Sequence, residues 1–98
     1  MKSIEQIKSV FSQHMDYIRK QFHVVELGCF GSFVSNSQRE NSDIDVLVSF
    51  EKGHKDFFNY MRLKNYLEKI TGLKVDLVIK EALKPQLKER IFDEVTYV

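Results

Sequence analysis

Apolar residues recur with helical spacing over residues 3–22, at Ile4, Ile7, Phe11, Met15, Ile18 and Phe22, which predicts one long amphipathic helix. Ser3, with Gln6 three residues on, supplies its N-cap and capping-box partner. Residues 23–30 and 44–50 are short apolar runs with β-branched side chains, and both read as strands. After a break at Glu51-Lys52-Gly53-His54, helical spacing returns over residues 56–70, at Phe57, Tyr60, Leu63, Leu67 and Ile70, and stops at Thr71-Gly72. A third strand over residues 74–79 puts Val75, Leu77 and Ile79 on one face, with Asp76 and Val78 on the other. Residues 82–94, near Pro85, form a short helix with Leu83, Leu87 and Ile91 inward. Its Lys80, Lys84 and Lys88, interspersed with Glu81 and Glu89, read as a solvated face. The order α-β-β-α-β-α predicts a two-layer α/β (α+β) domain in which helices cover one side of a small sheet.

Between the first two strands the pattern breaks into a polar stretch that opens on Gly31-Ser32 and closes on Asp43-Ile44-Asp45. Glycine lets a backbone turn and approach an anion closely, and serine adds a hydroxyl and an N–H, so the pair suits a triphosphate tail. Alone, Gly-Ser is an ordinary turn; the carboxylates that follow give it weight. Asp43 and Asp45, two apart at the start of a strand, project from one face. At an effective dielectric near 20, two carboxylates about 4–5 Å apart repel by roughly 3–4 kcal/mol, so such a pair shares a proton or holds a divalent cation. Oxygen-only donors favour Mg2+ or Mn2+. Asp76 supplies a third carboxylate where a strand should be apolar. Arg39 offers a guanidinium to a phosphate, although a loop arginine is commonly just solvated.

Gly31-Ser32, ten residues, Asp43-x-Asp45 and a later strand aspartate, Asp76, together resemble the nucleotidyltransferase superfamily that includes DNA polymerase beta. More narrowly, the chain from its first helix to Glu94-Val95-Thr96-Tyr97-Val98 resembles the minimal nucleotidyltransferase (MNT) antitoxins. It departs from them at Ser35-Asn36, where many members carry Arg-Gly. The resemblance implies a polymerase beta-like fold with a small mixed sheet. It implies ATP as substrate, two Mg2+ ions on Asp43, Asp45 and Asp76, and nucleotide binding by Gly31 and Ser32. It also implies a cognate HEPN ribonuclease toxin as partner, silenced by AMP transfer to a tyrosine hydroxyl, as in a type VII toxin–antitoxin pair. Two alternatives stay open: a binding module that neutralises its partner by occlusion alone, and a small-molecule nucleotidyltransferase whose acceptor pocket is built by dimerisation.

Composition narrows the rest. The 98 residues suit one domain, 1–98, burying about 65% of the unfolded surface, with no room for a second substrate-binding domain. Fifteen Lys and Arg against 14 Asp and Glu give no basic field of the kind a general nucleic-acid binder uses, so no direct nucleic-acid partner is expected. A single cysteine, Cys29, excludes an internal disulfide and reads as a small core residue. The absence of a long apolar run argues against a membrane span or secretory leader and makes the cytoplasm the expected compartment. His14 and His23 lack ligand-spaced partners and receive no role. Val10, Tyr17, Phe58 and Tyr66 lie off the core stripes and suggest exposed apolar surface for a protein partner or a second copy.

Overall fold

The computed structural model describes residues 3–31, 43–54 and 56–98. Helix α1 spans Ile4–Phe22, and its capping box is complete: Gln6 N–H donates to Ser3 Oγ, and Ser3 N–H donates to Gln6 Oε1. Ile7, Phe11, Met15, Ile18 and Phe22 are buried along it, as the helical stripe predicts. Only His23, in a left-handed conformation at φ 55°, separates α1 from strand β1, Val24–Phe30. Strand β2 is Ile44–Phe50, helix α2 is Phe57–Thr71, and strand β3 is Val75–Ile79. A 3-10 turn over Lys80–Ala82 leads to helix α3, Pro85–Glu94, and to a two-residue strand β4, Thr96–Tyr97.

The sheet is mixed, in the order β3-β2-β1-β4. Strands β1 and β2 are antiparallel, β2 and β3 parallel, and β4 runs antiparallel along the outer side of β1. Alternation divides each strand between two faces. Leu27, Cys29, Ile44, Val46, Val48, Val75 and Leu77 join the buried residues of α1 and α2 in one core, each fully buried aliphatic side chain contributing about 1.5–3 kcal/mol. On the second face Leu47 is also buried, and a Cβ placed on Gly28 would come within 2.8 Å of Val95. That face is therefore packed closely by the segment leading into β4.

Four details differ from expectation. In α2, Phe57 is 70% exposed and the buried polar residue Asn59 takes the place on the core side. Its amide donates to both the Phe22 and His54 carbonyls, at 2.7 and 2.8 Å, tying the end of α1 to the turn before α2. Helix α3 starts at Pro85 rather than residue 82 and buries none of its residues: Leu87, expected inward, is 42% exposed. Strand β4 was not expected, since two residues carry no readable alternation. Of the four side chains predicted to be exposed, Phe58 and Tyr17 are exposed, whereas Tyr66 is half-buried against Tyr17 and Phe22 and bonds His14 Nδ1 at 2.8 Å. Val10 is also half-buried.

Candidate active site

The candidate residues gather where β1 ends and β2 and β3 begin. The antiparallel register sets Phe30 opposite Asp45, so the next residue, Gly31, lies beside the Asp45 side chain. Gly31 has φ 79°, a left-handed conformation that β-carbon-bearing residues adopt only at a cost. A Cβ on Gly31 would run into the Asp45 carboxylate. Glycine here thus serves both the turn and the close approach of backbone to carboxylate. Ser32, Ser35, Asn36 and Arg39 lie outside the described residues.

In the parallel pairing of β2 and β3, Asp45 is the direct partner of Asp76. Partners in neighbouring strands share a face about 4.8 Å apart, and it is the face opposite the core, since Val75 and Leu77 on either side of Asp76 are buried. Asp43 immediately precedes β2, exposed, while Asp45 is half-buried and Asp76 exposed. The register of the sheet thus brings Asp76 beside Asp45, while Asp43 lies just before β2. The described donors are carboxylate oxygens only, a set suited to a hard divalent cation such as Mg2+.

Two residues on α2 fasten β3 around Asp76: Tyr60, which the sequence pattern placed only in the apolar stripe, and Glu68. The Glu68 carboxylate accepts from Val75 N–H at 2.9 Å, and the Tyr60 hydroxyl donates to the Leu77 carbonyl at 2.6 Å. At the entrance, Ile44 N–H donates to the Lys74 carbonyl at 2.9 Å. The residues immediately before and after Asp76 are thus held from the edge of the sheet. No sequence signal marks Glu68, whose role follows only from the packing of α2 beside β3.

No nucleophilic thiol competes with this site. Cys29 is fully buried, and loss of solvent pushes its pKa up to about 12, the nearby Lys8 ammonium pulling it down and the Asp45 carboxylate pushing it further up. On the site's own face, Lys80 bonds both Glu26 carboxylate oxygens at 3.3 Å and lies over the Phe92 and Tyr97 rings. Loss of water works to lower the Lys80 pKa, but its bonds to Glu26 and the neighbouring Tyr97 outweigh this and leave it raised.

Residues 11–98 match the nucleotidyltransferase domain family. The protein adenylyltransferase MntA of Thermococcus cleftensis is 40% identical over 98 residues, an alignment that covers 100% of this chain and 98% of that protein. A solved structure assigned as a minimal nucleotidyltransferase superposes with a TM-score of 0.83 at 30% identity, covering 97% of this chain and 95% of the other. A crystallised toxin–antitoxin with AMP-PNP superposes with a TM-score of 0.73 over 88% of this chain and 69% of the other; at 22% identity this shows the shared fold alone.

Proposed function

The chain belongs to the nucleotidyltransferase domain family, and from that premise we propose that it transfers AMP from ATP to a hydroxyl of a protein partner, as an antitoxin acting on a cognate HEPN-type toxin. The observation that carries this reading is the side-by-side placement of Asp45 and Asp76 beside Gly31. The adenylyltransferase name of the Thermococcus cleftensis relative supports the reaction class, since that alignment spans both chains almost entirely.

In this reading Asp43, Asp45 and Asp76 hold Mg2+, two ions being the expected number. When bound, the metal neutralises charge on the α-phosphate and on departing pyrophosphate. The chain's own residues do the rest. The backbone at Gly31, with Ser32 after it, takes the β- and γ-phosphates, because only a residue without Cβ leaves room beside Asp45. The acceptor oxygen attacks the α-phosphorus in line, the bond to the β-phosphate oxygen breaks, and pyrophosphate leaves. The proton of the acceptor hydroxyl passes to Asp76, whose exposure leaves it accessible to a large acceptor. In this proposal residues 1–98 act as one domain, and the partner's own surface presents the acceptor, a tyrosine hydroxyl. The setting is the cytoplasm; no helix among the described residues is long and apolar enough to cross a membrane.

The test uses ATP labelled at the α-phosphate, Mg2+ and a co-purified HEPN-type partner. Label should move to a tyrosine of the partner, and Asp45→Asn and Asp76→Asn should each abolish the transfer. If no label moves and Asp45→Asn still neutralises the partner in cells, occlusion replaces catalysis. If label moves only to small-molecule acceptors, the partner assignment fails.

A further inference from the structure

At the opposite end of the sheet from the carboxylates, strand pairing and a turn assemble three side chains that share no sequence motif. His23 ends α1, Glu51 follows β2, and His54 closes the turn that leads to α2. Glu51 N–H donates to the His23 carbonyl at 2.8 Å, and His54 N–H donates to the Glu51 carbonyl at 3.0 Å, so the three backbones are tied directly together. Asn59 bonds the carbonyls of Phe22 and His54 and fixes the same assembly from within the core. His23 Nδ1 lies 3.0 Å from Glu51 Oε2, and the imidazoles of His23 and His54 stack with centroids 3.7 Å apart.

We propose that His23, Glu51 and His54 form a second metal site, for a divalent ion that favours imidazole, Zn2+ foremost. One ligand atom from each residue lies within 4.8 Å of the other two. A tetrahedral ion with bonds of about 2.0–2.1 Å holds its ligand atoms about 3.3 Å apart, so the observed separations need only a small contraction or rotation. Imidazole lone pairs lie in the ring plane, and the stacked rings hold theirs side by side; turning one ring about its Cβ–Cγ bond makes them converge. Two imidazoles and one carboxylate select Zn2+ over Mg2+, which prefers oxygen donors. The fourth position stays open to water. The site lies about 20 Å from Asp45, the length of β1, so it is separate from the carboxylates and staples the α1–β1 junction to the β2–α2 turn.

The experiment titrates zinc chloride alone into tag-free protein by calorimetry, in an Asp45→Asn background that weakens zinc binding at the carboxylate site. One Zn2+ per chain should bind, a tenfold excess of Mg2+ should not displace it, and the thermal unfolding midpoint should rise with zinc. His54→Gln, which leaves the α1 cap intact, should weaken binding at least tenfold and remove the zinc-dependent rise, and Co2+ should show imidazole-coordination absorption bands in the parent only. Unchanged zinc affinity in a folded His54→Gln variant, or displacement by Mg2+, overturns the proposal.

Discussion

Gly31 and Asp45 are packed so closely that a single added methyl group on Gly31 would occupy the space of the Asp45 carboxylate. The backbone at Gly31 is left-handed as well, so an alanine there is strained twice over. Gly31→Ala should lose roughly 1–2 kcal/mol of stability from the backbone alone, read as a lower urea midpoint. Displacement of Asp45 should lower AMP transfer by more than that loss explains, at least about tenfold with the protein fully folded.

Asp76 is exposed and aligned with Asp45, and its value to the fold is opposite in sign to its value to the chemistry. Without metal, Asp76→Asn relieves a like-charge contact, so the unfolding midpoint in EDTA should hold steady or rise by a few degrees. Transfer should fall by at least about 100-fold, since even residues that merely support a metal's ligands cost 10–100-fold. A scanning calorimetry trace beside a labelling assay reads both.

Tyr60 and Glu68 should affect turnover through Asp76 rather than by touching substrate. Tyr60→Phe removes one hydrogen bond to the Leu77 carbonyl, at a cost of about 1 kcal/mol. Together with Glu68→Gln, it should lower kcat several-fold while leaving the KM for ATP nearly unchanged. A double variant no worse than either single one would show that the two contacts hold β3 as one unit, and additive losses would show that they act independently.

The Cys29 thiol gives a pH signature. Its pKa in the fold is about 12 against 9.0 for the free group, so above pH 9 the unfolded chain sheds a proton that the folded one keeps. Stability is then fully present below pH 9 and falls toward pH 12, by about 1.4 kcal/mol per pH unit at most. Cys29→Ala, which leaves a methyl-sized void costing about 1 kcal/mol, should be the weaker protein at pH 8 and should have lost that disadvantage by pH 10. Urea midpoints of both proteins at the two pH values test this, and in the native parent the thiol should be inert to disulfide reagents.

Much of the site was legible in the sequence because its elements announce themselves by period. Alternation alone set Asp76 apart from Val75 and Leu77, and a two-residue spacing paired Asp43 with Asp45. The direct Asp45–Asp76 partnership was not readable, since strand register depends on contacts between residues distant in the chain. The inward face assigned to α3 failed for a related reason: Leu87 has helical spacing, but spacing does not say whether a surface waits opposite. His23 and His54, 31 residues apart, were invisible as a pair until β1 and β2 folded together. Asn59 shows the converse, a polar residue off the predicted apolar stripe that is buried because two carbonyls need its amide.

The bonds from Glu68 to Val75 and from Tyr60 to Leu77 have a consequence beyond catalysis. Strand β3 is the outer member of the sheet on its side, and an uncovered outer strand is a template on which a foreign strand can add. Here helix α2 occupies that template with its own side chains. Two outward backbone groups of β3 are thereby taken, which hinders a visiting polypeptide from lengthening the sheet past this border.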